Sequence, residues 1–167
     1  GRTRSASGYK QSLQEKQMLK NLYGLSEQQF KRYVKETLEN ITRVENVSDE
    51  LIKCLEKRLD NVVFRLGLAK SRKHSRQLVN HAYFLVNGKS VNIPSFQVKK
   101  GDAVSIKETK NKKLVFKDLK TQLKKIDTPT WLNIDKEKFE AKIIGEPSLA
   151  EVNPPVEISL IFEFYSR

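Results

Sequence analysis

The chain has 167 residues, enough for one domain or two small ones. It is 38% hydrophobic and 31% charged with a net charge of +12 at pH 7, a balance that suits a protein whose self-repulsion is offset by an anionic partner. The single cysteine, Cys54, excludes an intrachain disulfide and a cysteine-based zinc site, and no apolar run approaches the roughly 18 residues that span a membrane.

Residues 1–9, GRTRSASGY, are small, polar and basic with no apolar period. They are expected to form an arm that lacks regular structure until a partner orders it. Residues 10–23 have helical spacing, with Leu13, Met18, Leu19 and Leu22 as a rough apolar stripe and Gly24 at the C-terminal end. Ser26 and Gln29 form a capping box ahead of Phe30, Tyr33, Val34, Leu38 and Ile41, which recur at helical intervals. After a turn at 46–48, a further helix carries Leu51, Ile52 and Leu55, with Cys54 beside them as a small apolar packing residue.

Leu59, Val62, Val63 and Leu66 follow at i, i+3, i+4 and i+7, and Gly67 ends that helix. Ser71 is the N-cap of the next. Phe84-Leu85-Val86 and Val91-Asn92-Ile93 flank Asn87-Gly88, a strong hairpin signal, and a third strand at 103–107 follows the Lys100-Gly101-Asp102 turn. The lysine-rich residues 107–125, with Leu114, Phe116, Leu119 and Leu123, predict an extension and a helix. Pro129, Pro147, Pro154 and Pro155 punctuate a looser region that contains Trp131 and Phe139, and Glu157 to Tyr165 has the alternation of a terminal strand.

Charge is concentrated in the middle of the chain. Residues 51–112 hold 14 Lys and Arg against 4 Asp and Glu, and no acid lies between 61 and 101. Arg72, Lys73 and Arg76 occupy the first turns of their helix, where cations oppose the macrodipole; a docked phosphate would reconcile the two. On a helical wheel Arg72, Arg76 and Asn80 share a face with Lys73 nearby, while Ser75, Leu78, Val79 and Ala82 point inward. Gln77, Asn80, His81 and Asn87 suit hydrogen bonding to sugar hydroxyls, as shape-reading RNA binders require. His74 and His81 have no carboxylate between them and no metal spacing, so they are polar contacts or exposed. Tyr83 and Phe96 fit the core better than a base-stacking role. Ser95, Lys99 and Lys100 extend the basic surface before the third strand.

Arg58-Leu59-Asp60, Ser71-Arg72, Arg76-Gln77-Leu78-Val79, Val86-Asn87-Gly88 and Lys100-Gly101-Asp102 resemble, in order and spacing, the S-four RNA-binding domain. Tyr9, Leu13-Gln14-Glu15-Lys16-Gln17, Leu22-Tyr23-Gly24, Gln28-Gln29-Phe30 with Tyr33, Pro129-Thr130-Trp131-Leu132 and Tyr165-Ser166-Arg167 resemble the bacterial-type family of small-subunit ribosomal protein four. The resemblance implies a primary rRNA-binding protein on the 5′ domain of small-subunit rRNA, beside ribosomal proteins three and five, with the mRNA entry channel nearby. It places RNA contacts at Arg58, Ser71, Arg72, Arg76, Gln77, Asn87 and Lys89, at Lys16, Lys20 and Arg32, and a basic loop near the mRNA path at Arg2 and Arg4. Lys10, Lys70, Lys73, His74, Asn80, Ser95, Lys99 and Lys100 complete the candidate RNA-binding set. Family members usually carry a further N-terminal segment, sometimes with zinc-binding cysteines, which this chain does not show. Ser75 replaces a common Ala, Ala82-Tyr83 replaces a frequent Gly, and the stretches after 107 and over 140–155 match poorly.

Arg58-Leu59-Asp60 also echoes the catalytic Gly-Arg-Leu-Asp loop of pseudouridine synthases. Lys57 precedes the arginine, however, and the apolar period makes the segment a helix. The expected fold is α+β. A helical domain of residues 10–56 plus about 157–167 accompanies an S-four domain over 57–156, two helices on a small antiparallel sheet. The expected function is structural rRNA binding in a bacterial cytoplasmic or organellar ribosome, without catalysis, cofactor, metal or membrane. A free-standing RNA chaperone or translational repressor would use the same surface.

Overall fold

In a computed structural model, the chain is described over residues 2–166, with side chains over 8–166. It divides into two compact units, Gly1–Leu55 with Ser148–Arg167, and Glu56–Pro147. Compared with the boundaries expected from sequence, the second unit ends earlier, and α7 (Leu149–Val152) falls with the helices.

The first unit is helical. α1 runs Arg2–Leu22, so the backbone of residues 2–9, expected as an irregular arm, continues the first helix. No proline interrupts those residues, and extending a formed helix avoids the cost of a new nucleus. The buried stripe of α1 is Ser12, Lys16 and Leu19, leading to Tyr23; Met18, expected inside, is exposed. α2 (Glu27–Glu39) starts on the capping box: Gln29 N–H donates to Ser26 Oγ and Gln29 Oε1 accepts from Ser26 N–H. α3 (Val47–Glu56) buries Leu51, Ile52 and Leu55.

The end of the chain, expected as a strand, is α8 (Ile158–Tyr165). Its eight residues satisfy both periods, because Ile158, Ile161, Phe162 and Tyr165 also stand at i, i+3, i+4 and i+7. Packing along α1 selects the helix. Tyr9 and Phe164 stack at 5.7 Å, and Glu157 N–H donates to Glu15 Oε2 at 3.2 Å. Ile158 and Ile161 join Leu19, Phe30, Val34, Leu51 and Leu55 in one core.

The second unit begins with α4 (Leu59–Arg65) and α5 (Arg72–Asn80), followed by a five-stranded antiparallel sheet in the order β2-β1-β3-β5-β4. The strands are β1 (Phe84–Val86), β2 (Lys89–Ser90), β3 (Ala103–Ile106), β4 (Leu132–Asp135) and β5 (Glu140–Ile143). The β1–β2 turn has Asn87 at φ 53° and Gly88 at φ 79°, the pair of positive φ values that a type I′ turn needs. β2 lies directly after the turn, so Val91-Asn92-Ile93, expected as the second strand, fall outside the ladder. Ile93 is exposed, and Pro94, which has no N–H to donate, gives its carbonyl to Asp60 N–H instead.

Residues 131–143, expected to be loose, supply β4 and β5, which pair through Ile134 and Ala141. Each strand is only four residues long, too short for its alternation to show in sequence. The lysine-rich segment forms a 3₁₀ turn (Leu114–Phe116) and α6 (Leu119–Lys124). Leu59, Val62, Val63 and Leu66 of α4, Leu78 and Val79 of α5, Phe84, Val104 and Ile143 of the sheet, Leu119 and Leu123 of α6 and Trp131 form one buried core. Tyr83 and Phe96 pack against it.

Candidate nucleic-acid interface

The basic helix α5 is built as its sequence suggests. Ser71 caps it by accepting His74 N–H at 3.0 Å, and His74 Nδ1 accepts Lys70 N–H at 3.2 Å, so both residues organise the helix start. Ser75, Leu78 and Val79 are buried, while Lys73, Gln77 and Asn80 are exposed along one line. That line is the open face. Arg72 and Arg76 border it along the side toward α4, half-buried, and α4 holds both.

Asp60 and Asn61, in the first turn of α4, do the holding. Asp60 receives a two-pronged contact from Arg58, with Nε to Oδ1 at 3.1 Å and Nη2 to Oδ2 at 3.0 Å. The same carboxylate accepts Asn61 N–H at 2.7 Å and lies 3.7 Å from Arg76 Nε. Asn61 donates to the Glu56 carbonyl at 2.8 Å and accepts Arg72 Nε at 3.0 Å. The Arg72 guanidinium also lies over the Phe64 ring at 4.6 Å. These contacts restrict both arginines before any partner arrives, which lowers the ordering cost of binding. The sequence signal was available: Asp and Asn, both buried here, open an otherwise apolar helix.

Several candidate contacts turn out to serve the fold. Arg58 is only 2% exposed, and its guanidinium grips Asp60 beneath α5 instead of facing a partner. A buried arginine requires its carboxylate, and the Arg58 backbone is also bridged to Gln97. Asn87 shapes the hairpin: its Nδ2 donates to Asp102 Oδ1 at 2.9 Å and its Oδ1 accepts Ala103 N–H at 2.9 Å. Asp102 also accepts Lys99 N–H at 2.9 Å. Lys70, Lys89, Lys99 and Lys100 are exposed, and Ser95 is half-buried.

In the helical unit Lys10 and Arg32 are exposed. Lys16 is 5% exposed, donates to Glu27 Oε2 at 2.8 Å and lies over the Phe164 ring at 4.8 Å. It was expected on the RNA-facing side; pairing with an acid on the next helix makes it an internal tie. Lys20 lies 3.7 Å from the same carboxylate, which also accepts Tyr165 Oη–H at 2.8 Å. Burial disfavours ionised Glu27, but the hydrogen bonds from Lys16 and Tyr165 and the charges of Lys16 and Lys20 outweigh it and hold the carboxyl below its ordinary range. Burial, the hydrogen bond to Glu27 and that group's charge push the Tyr165 phenol far up. The side chains of Arg2 and Arg4 lie outside the described residues.

Among the described residues, no cluster of three or more His, Cys, Asp or Glu is placed to hold a metal ion. No helix among them is long and apolar enough to cross a membrane.

Two short helices laid on an antiparallel sheet, with an Asn–Gly hairpin and a cationic helix start, define an S4-type domain. The S4 domain family model matches residues 57–104, and the model described as Ribosomal protein S4/S9 N-terminal domain matches residues 1–56. Among relatives, Small ribosomal subunit protein uS4 of Persephonella marina is 44% identical over 99% of this chain and 80% of its own length. The protein of the same name from Halothermothrix orenii is 44% identical over 95% of this chain and 75% of its own, and that of Cupriavidus necator 41% over 100% and 80%. The chain belongs to the small ribosomal subunit protein uS4 family.

Proposed function

We propose that this chain is a structural, non-catalytic constituent of the small ribosomal subunit that binds the 5′ domain of small-subunit rRNA through the open face of α5. The observation that carries this reading is the pair Arg72 and Arg76, held by Asn61 and Asp60 along one edge of the exposed face of Lys73, Gln77 and Asn80. Positioned guanidinium groups grip phosphates with two donors each, and the amides of Gln77 and Asn80 beside them suit ribose hydroxyls. Lys70, Lys89, Lys99 and Lys100 extend the same positive surface. In the assembled particle, of a bacterial cytoplasm or an organelle, the chain sits by the mRNA entry channel next to ribosomal proteins three and five, where it bears on decoding accuracy. Lys10, Lys20 and Arg32 of the helical unit add phosphate contacts.

Equilibrium binding to a 5′-domain rRNA fragment over a salt series, with an unrelated RNA as competitor, tests the reading. Lys73→Glu and Arg72→Glu/Arg76→Glu are compared with wild type after folding is checked by Trp131 fluorescence. Wild type should prefer the rRNA with a steep salt slope. Removing one phosphate contact at Lys73 should reduce that slope by about 1, and the double variant should lose the preference. Equal binding to both RNAs would point instead to a free-standing RNA chaperone or repressor. Unchanged binding by both variants would remove α5 from the interface.

A further inference from the structure

We propose that the cleft between the start of α5 and the Leu114–Lys124 segment receives an unstacked guanine of an RNA strand, read by the carboxylate of Asp118. This rests on the RNA-binding reading above and adds base recognition at a different place. The cleft, of about 610 Å³, lies in the S4-type unit and is lined by Lys70, Ser71, His74, Leu114, Val115, Asp118 and Gln122. That volume falls in the range of sites for small planar ligands.

Three exposed side chains of its wall are open to a partner. Leu114 is 81% exposed, an apolar side chain left in water beside a highly charged stretch. Asp118 stands at the N-cap of α6, yet its side chain makes no capping bond. Nor does it pair with a cation among the described residues, although residues 107–125 contain eight lysines. Gln122, exposed, follows one turn later on the same side of α6 and lines the cleft as well.

An unpaired carboxylate repels phosphate, so on a surface that only gripped backbones it would weaken binding. It strengthens binding where two adjacent donors meet it. Guanine alone among the four RNA bases offers such a pair, N1–H and the 2-amino group, on its Watson–Crick edge; the others present mixed donors and acceptors to a carboxylate. Leu114 and Val115 give the ring an apolar surface, and the His74 side chain forms part of the opposite wall, in keeping with the way splayed-out bases are held. Lys70 at the rim, and Lys113 and Lys117 beside Leu114 and Asp118 in sequence, take the flanking phosphates.

The test uses the full chain and a short labelled oligouridine carrying one central guanosine, adenosine or inosine. The guanosine oligomer should bind about tenfold tighter than the adenosine one, the discrimination a two-pronged base contact provides. Inosine, which lacks the 2-amino group, should fall between them. Asp118→Asn should equalise guanosine and adenosine while leaving the adenosine oligomer bound at least as tightly as before. Salt-dependent binding that ignores the base, or a guanosine preference that survives Asp118→Asn, overturns the guanine site and leaves the RNA-binding reading in place. Absence of binding to all three oligomers overturns the guanine site, and the RNA-binding reading falls with it only if the 5′-domain fragment also goes unbound.

Discussion

Replacing Asp60 with Asn removes one negative charge from beneath two arginines while preserving the size of the side chain. Arg58, 2% exposed, loses the carboxylate that it holds at 3.0 and 3.1 Å, and Arg76 loses its partner at 3.7 Å. Breaking a buried pair from one side costs about 3–5 kcal/mol, and because the amide keeps one acceptor oxygen the lower end, about 3 kcal/mol, applies. With a urea m-value of about 1.5 kcal/mol/M for a unit of this size, the unfolding midpoint should fall by roughly 2 M. The chain's only tryptophan, Trp131, is buried in the core of the same unit, so its fluorescence follows that unit's unfolding. Binding to the rRNA fragment gives a second, independent sign. Added positive charge alone would tighten binding, whereas loss of the tether on Arg76 should weaken it. A midpoint shift below about 0.5 M, or tighter RNA binding, would refute the argument that Asp60 holds the interface.

Two further outcomes follow from single positions. Gly67 has φ +79°, and a Cβ there would lie 2.7 Å from Ile126 Cγ1, whereas Gly88 shares the φ with nothing within 4 Å. Gly88→Ala should therefore cost only the left-handed strain of about 1–2 kcal/mol, and Gly67→Ala more, by Trp131-monitored urea unfolding. In the helical unit the lowered Glu27 carboxyl contributes stability that is present above the unfolded value of about 4.3 and is lost as pH falls through the lower folded value. Tyr165, raised, contributes below about 10 and loses that contribution as pH climbs above it. Circular dichroism of thermal unfolding across pH should show both losses in wild type and lack the acid one in Glu27→Gln. With Glu27 44% exposed, the effect should be modest and shrink with added salt.

Local chemistry was legible in the sequence wherever neighbours along the chain decide the outcome. The capping box at Ser26 and Gln29, the Ser71 cap, the Asn87-Gly88 turn and the apolar period from Leu59 to Leu66 each form as their residues predict. The buried face of α5, Ser75, Leu78 and Val79, also follows from helical geometry, whereas contacts with α4 half-bury Arg72 and Arg76 and leave Lys73, Gln77 and Asn80 as the open face. The choice of helix for residues 158–165, and of strands for 132–135 and 140–143, was not legible: the first satisfies two periods and the strands are too short to show one, and packing on α1 and pairing with β3 select the outcome. The cations followed the same division. Composition and charge determined by themselves that the chain is built to meet an anion, and tertiary structure decided which lysines and arginines remain available for it. Arg58 and Lys16 are as basic in sequence as Lys73, yet Asp60 and Glu27 hold them inside, since a charge can be buried only where the fold brings its counter-charge into contact.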